Sequence, residues 1–90
     1  MERLSGKHRK LLERVMSGRS DANIPFERLC ALLKRLGFGE RISGSHHIFS
    51  REDVPELLDL QETKGEATAK RYQVKQVRDL VIKYKIVDAR

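Results

Sequence analysis

The sequence predicts an α+β fold of two layers, in which helices cover one face of a three-stranded antiparallel sheet in the order α-α-β-β-β-α. Apolar residues recur at helical spacing up to Gly37, at near-alternating spacing after it, and at helical spacing again from Tyr72. Short loops join the three strand-like segments, so the strands are expected to form an antiparallel meander. At this length, residues 1–90 are expected to be a single domain.

The first predicted helix covers residues 5–18. Ser5 is a suitable N-cap, and Gly18 is a suitable stop followed by turn-forming residues. The apolar side of this helix contains Leu4, Leu11, Leu12, Val15 and Met16.

The second and third predicted helices cover residues 25–36 and 72–84. Pro25 fits the first turn of the second helix, and Gly37 lies where a left-handed C-cap would be. The tail from Lys85 onward is expected to fray.

Three short strands are predicted between these helices, with Gly44 and Ser45 forming the tight connection between the first two. Because proline cannot donate to a sheet ladder, Pro55 is expected to lie in a loop, and the third strand is expected to begin after it. The predicted strands are residues 38–43, 46–50 and 57–61.

The charge balance points to a polyanionic partner. Nineteen lysine and arginine residues against thirteen aspartate and glutamate residues give a net charge of +6, with both ends of the chain basic and the middle acidic. Such a balance is typical of small nucleic-acid-binding domains. Charge alone is explained equally well by solubility.

The composition also excludes several classes of site. The single cysteine, Cys30, rules out a disulfide within the chain and is expected to be buried or half-buried. His46 and His47 point to opposite faces of a strand, so we expect no metal site and no cofactor. The chain has no apolar run of membrane-spanning length and no secretory signal, so a cytoplasmic location without a membrane partner is expected.

Residues 44–49, which read Gly-Ser-His-His-Ile-Phe, form the most informative stretch. The glycine permits a sharp turn into a strand and close approach of a phosphate. Ser45 offers a hydroxyl and a main-chain N–H beside that turn. His46 then lies at a strand end, where an imidazole can exchange a proton near neutral pH.

Three segments in this chain resemble, in the same order, motifs of the HicA toxin family. Residues 33–38 read Leu-Lys-Arg-Leu-Gly-Phe, residues 41–46 read Arg-Ile-Ser-Gly-Ser-His, and residues 72–77 read Tyr-Gln-Val-Lys-Gln-Val. The resemblance covers a HicA-like core of about residues 24–86, and residues 5–18 form an additional N-terminal helix.

This resemblance implies a fold like that of a double-stranded-RNA-binding domain, used for metal-independent cleavage of messenger RNA. It also implies neutralisation by a HicB-type antitoxin that covers the site. The essential histidine of the family falls on His46. The third strand differs, because Asp59, Leu60 and Gln61 stand where many members have a proline, a basic residue and often a histidine.

RNA carries its own nucleophile, the 2′-hydroxyl next to the scissile phosphate, so an enzyme needs a base and groups that bind the phosphate. We expect His46 to be the base, with Gly44 and Ser45 positioning the phosphate. Three cations flanking the last connector and helix are candidates for stabilising the charge of the transition state: Lys64, Lys70 and Lys75.

Three nearby side chains are expected to have other roles. His47 is expected to pack beneath the sheet or to be a minor contributor to cleavage. Gln61 is expected either to contact RNA or to be a solvated edge residue. Tyr72 is expected to pack on the core, with stacking on a base as the alternative.

Three other functions stay open from the sequence. The first is a non-catalytic RNA-binding module of the same fold, which would not need His46. The second is a DNA-binding protein that reads the major groove with its last helix, although no short helix-turn-helix connection is present. The third is a protein-interaction module.

Overall fold

The computed structural model describes residues 5–86 and confirms the α+β order α-α-β-β-β-α. One short 3₁₀ turn, Asp21–Asn23, precedes the second helix. The sheet is antiparallel with strand order β1-β2-β3. The elements are α1 (Gly6–Ser17), α2 (Phe26–Arg35), β1 (Gly39–Ser43), β2 (His46–Arg51), β3 (Val54–Leu60) and α3 (Arg71–Lys83).

The predicted ends of the first helix are confirmed by their hydrogen bonds and backbone angles. The Ser5 hydroxyl accepts a hydrogen bond from the His8 amide at 3.2 Å, which satisfies one of the free N–H groups of the first turn. Gly18 ends α1 in the left-handed conformation, with φ 73°. Leu4, assigned to the same apolar side by the sequence, lies outside the described residues.

Alternation along β3 shows that the sheet has one covered face and one open face. Leu58 and Leu60 are buried, whereas Leu57 and Asp59 between them are exposed. The register pairs Phe49 with Leu58, which places the ring of Phe49 under the helices as well. We call the other side, which includes Asp59, the open face.

The predicted start of the third strand is wrong, because β3 begins at Val54 and includes Pro55. β3 is an edge strand of the sheet, and Pro55 is exposed there. The missing N–H of a proline therefore costs no ladder bond when it faces solvent. An irregularity in the pairing between Phe49 and Arg51 accompanies the tight turn into β3.

Both ends of the described chain pack into one hydrophobic core. Leu11 and Val15 of α1 belong to the same buried cluster as the sheet and the other helices. The prediction that the tail frays from Lys85 is wrong for Ile86, which is buried and donates its amide hydrogen to the carbonyl of Val81 at 3.0 Å. Residues 87–90 lie outside the described part of the chain.

Candidate functional site

The turn between β1 and β2 presents His46 at the edge of the open face. Gly44 has φ 61°, a left-handed conformation that a glycine adopts without strain, and it starts the turn into β2. His46 is the first residue of β2, directly after Ser45. Its side chain is 48% exposed, so solvent and ligands reach the ring.

A carboxylate from the neighbouring strand holds the ring of His46. Asp59 Oδ1 lies 2.9 Å from His46 Nδ1, diagonally across the β2–β3 pair. An ionised carboxylate only accepts hydrogen bonds, so Nδ1 carries the hydrogen, and in the neutral ring Nε2 is the proton acceptor. Nε2 has no hydrogen-bond partner within residues 5–86. The pair is therefore an imidazole with a defined tautomer, whose Nε2 is free of partners among the described residues.

A second chain of hydrogen bonds brings a cation to the same turn. Gln61 Nε2 donates to Ser45 Oγ at 2.8 Å, and Lys70 Nζ donates to Gln61 Oε1 at 3.4 Å. Because Ser45 Oγ accepts in this contact, its own hydrogen remains available to a ligand. Lys70 thus lies two hydrogen bonds from the serine that precedes His46.

Gln73, which is not among the residues predicted for the site, holds this arrangement from the buried side. Its side chain is 1% exposed, and Oε1 accepts hydrogen bonds from the amides of Gln61 (3.2 Å) and Lys70 (3.4 Å). Its Nε2 lies 3.5 Å from the carbonyl oxygen of Asp59 and 3.4 Å from the hydroxyl of Tyr72. One buried amide therefore ties the start of α3 to the end of β3.

The expectation that Tyr72 packs on the core is wrong, since its side chain is among the exposed large hydrophobics at 58%. It lies in the first turn of α3, where its hydroxyl meets the amide of Gln73. The side chain is therefore open to solvent at the start of α3.

The other two predicted cations are not connected to the His46 cluster. Lys75 Nζ pairs with Asp79 at 2.9 Å, one helical turn further along α3. Lys64 is exposed in the connector after β3, and its ammonium pairs with no described group. Among the three predicted lysines, Lys70 alone is linked to the turn by described hydrogen bonds.

His47 lies on the covered face, which confirms its predicted packing beneath the sheet. Its ring meets Phe26 edge-on, with the centroids 4.9 Å apart, and its Nδ1 is 2.7 Å from Glu40 Oε2. The hydrogen bond from His47 is the main cause that lowers the pKa of Glu40 below its ordinary value. The two adjacent histidines therefore lie in different environments, His46 on the open face and His47 on the covered face.

His47 also belongs to a group of three metal-ligating residue types on the covered face. Potential ligand atoms of Cys30, Glu40 and His47 are within 4.8 Å of one another. The second oxygen of Glu40 is bound by the ammonium of Lys34 at 3.1 Å, and burial raises the pKa of the Cys30 thiol to about 12. These groups have the composition of a divalent metal site, but they lie across the sheet from His46.

In the sequence, Asp59 stands out only as a departure from a family pattern, and its pairing with His46 was not predicted. One signal was present: an aspartate between two buried leucines must face away from the core. Which residue it meets depends on the register between β2 and β3, which this pattern does not specify.

Compared with known proteins, the chain matches no family model, no curated protein and no solved structure. Across the described part of the chain, no helix combines the length and apolarity needed to cross a membrane.

Proposed function

We propose that this protein is a metal-independent endoribonuclease that cleaves messenger RNA with His46 as its catalytic base. The observation that carries the proposal is the His46–Asp59 pair at 2.9 Å, exposed at the end of a strand. An imidazole that is held by Asp59, and whose Nε2 has no described partner, can take a proton from a nucleophile that reaches the open face.

The cleavage step uses the 2′-hydroxyl of the RNA as the nucleophile. His46 Nε2 accepts the 2′-hydroxyl proton as the 2′-oxygen forms a bond to phosphorus. The bond to the 5′-oxygen breaks, and that oxygen takes a proton from the imidazolium or from water. The products are a 2′,3′-cyclic phosphate and a 5′-hydroxyl, and Asp59 stabilises the positive charge on the ring while it exists.

The phosphate oxygens are bound by groups next to the turn. The Ser45 hydroxyl hydrogen and the main-chain N–H groups at Gly44 and Ser45 donate to the phosphate, and the ammonium of Lys70 stabilises the added charge. Because the nucleophile is already part of the substrate, no metal-bound hydroxide is required.

We further propose that the protein is the toxin of a type II toxin–antitoxin system, acts in the cytoplasm, and is neutralised by a HicB-type antitoxin. The resemblance of residues 33–38, 41–46 and 72–77 to motifs of HicA toxins supports this. An antitoxin that blocks the open face is expected to place acidic or phosphate-like groups near His46 and Lys70.

A non-catalytic RNA-binding module is the second candidate function. The exposed Tyr72 and the basic residues at the start of α3 favour it, because they bind RNA without any need for a base at position 46.

The deciding experiment compares the wild-type chain with His46→Ala and with His8→Ala, which removes a histidine from α1. Each protein is induced in cells and is also incubated with RNA in the presence of a chelator. The wild type and His8→Ala are expected to stop growth and cleave RNA, whereas His46→Ala is expected to lose cleavage by about 10²-fold or more. A 2′-deoxy group at the cut site should block the wild-type reaction. A folded and fully active His46→Ala protein would refute the mechanism.

A further inference from the structure

An exposed aromatic ring lies at the start of α3, the end of the helix that Gln73 ties to β3. Tyr72 is 58% exposed, and its hydroxyl contacts the same Gln73 amide that reaches the carbonyl oxygen of Asp59. The Tyr72 hydroxyl and the main chain of Asp59 are therefore connected through the buried side chain of Gln73. A large exposed aromatic ring loses solvent contact at little conformational cost, which suits a stacking partner.

A basic cleft continues from this ring, between α3 and the loop that follows α1. The cleft has a volume of about 510 Å³. Arg19, Arg71 and Lys75 line it together with Tyr72. Its one acid, Asp21, already has both carboxylate oxygens bound by Arg78, at 2.9 and 3.1 Å.

Two of these cations are available to a ligand. Both Arg19 and Arg71 are exposed, and their guanidinium groups form no ion pair or hydrogen bond with any described residue. In contrast, Arg78 is bound to Asp21 and to the carbonyl of Val15. Unpaired arginines beside an exposed aromatic ring match the alternating phosphates and bases of a nucleic acid strand.

We propose that this cleft is a binding subsite for single-stranded RNA, in which one base stacks on Tyr72 and the neighbouring phosphates bind Arg19 and Arg71. The assignment rests on the proposed nuclease function, which places the scissile phosphate at His46. The strand then runs from the open face, around the edge at β3, to the start of α3. A duplex offers no unstacked base to Tyr72, so the subsite selects single strands.

The first test uses the absence of tryptophan from the chain. A Tyr72→Trp substitution in a His46→Ala background gives a single fluorescent reporter in a protein that does not cleave its ligand. Short single-stranded RNA is expected to quench this fluorescence. The same RNA as a preformed duplex, or as an abasic ribose-phosphate oligomer, is expected to quench it much less. Equal quenching by all three would overturn the stacking assignment.

The second test measures affinity for the single strand in the same His46→Ala background. Tyr72→Ala is expected to weaken binding about 5- to 100-fold, the range found when a stacking aromatic residue is removed. Arg71→Gln is expected to lower the salt slope of log affinity by about one. Arg28→Gln removes the same charge from the exposed side of α2 and is the matched control, expected to do neither.

The two proposals fail in different ways. Unchanged affinity in Tyr72→Ala, or equal losses in Arg71→Gln and Arg28→Gln, would overturn the subsite even if the wild type cleaves RNA at His46. Binding that depends on Tyr72 but no cleavage by the wild type would support the subsite and refute the nuclease. A cleft that binds an acidic protein and no RNA would overturn the subsite.

Discussion

Asp59→Asn tests how His46 is held without removing the imidazole. The side chains of His46 and Asp59 are 48% and 55% exposed, so water screens their attraction. An exposed ion pair contributes about 1 kcal/mol at most, which corresponds to about fivefold in rate. The amide of an asparagine can also donate to Nδ1, which would place the ring hydrogen on Nε2 and remove the acceptor.

The lost ion pair accounts for about fivefold at most, and the change of ring tautomer adds to that loss. We therefore expect Asp59→Asn to lower the single-turnover cleavage rate by about fivefold or more, but less than the loss of about 10²-fold or more expected for His46→Ala. RNA affinity should stay constant or increase, because a negative charge near the phosphate is removed. A cleavage rate that falls while RNA affinity stays constant or rises separates a positioning role from simple damage to the fold.

The control is Asp53→Asn, which removes the same charge from the turn at the other end of β2. Asp53 is 61% exposed and pairs with Arg51 at 2.8 Å. We expect it to leave the cleavage rate unchanged, and both variants to keep the wild-type stability within about 0.5 kcal/mol. An Asp59→Asn protein with the wild-type rate would refute the argument that the carboxylate orients His46.

Three further predictions concern stability and reactivity. Hydrogen bonds from Tyr84 and Lys83 lower the pKa of Glu56 to about 2, so the stability that they add is complete above the ordinary pKa of 4.5 and is lost as the pH falls toward 2. In circular dichroism melts, Glu56→Gln should therefore make the melting temperature depend less on pH between these two values. An unchanged dependence on pH would contradict this. Arg78→Ala should lower the free energy of unfolding, measured with denaturant, by about 1–3 kcal/mol, because it leaves the half-buried Asp21 carboxylate and the Val15 carbonyl without their hydrogen-bond donor. A loss under about 0.5 kcal/mol would refute that role. Burial raises the pKa of the Cys30 thiol to about 12, so at pH 8 the folded protein holds almost none of the reactive thiolate. Cys30 should therefore react with thiol reagents only as fast as the protein unfolds. Rapid labelling of the folded protein would be inconsistent with this burial.

The order of elements and the placement of several side chains followed from the sequence alone. Helical and strand spacings are local properties of the chain, and so are the caps at Ser5 and Gly18. Alternation along a strand placed His46 and His47 on opposite faces, and the structure agrees. These predictions succeed because each depends on residues within one or two turns of one another.

The details that matter most for the site depended on tertiary structure. The contact between His46 and Asp59 follows from the register of β2 and β3, and a one-residue shift would move Asp59 to the other face. Pro55 fits within a strand because that strand lies at an edge of the sheet. Tyr72 is exposed because Gln73, its neighbour, takes the buried position against β3. Each outcome depends on which distant segment becomes the neighbour, and local spacing carries no information about that choice.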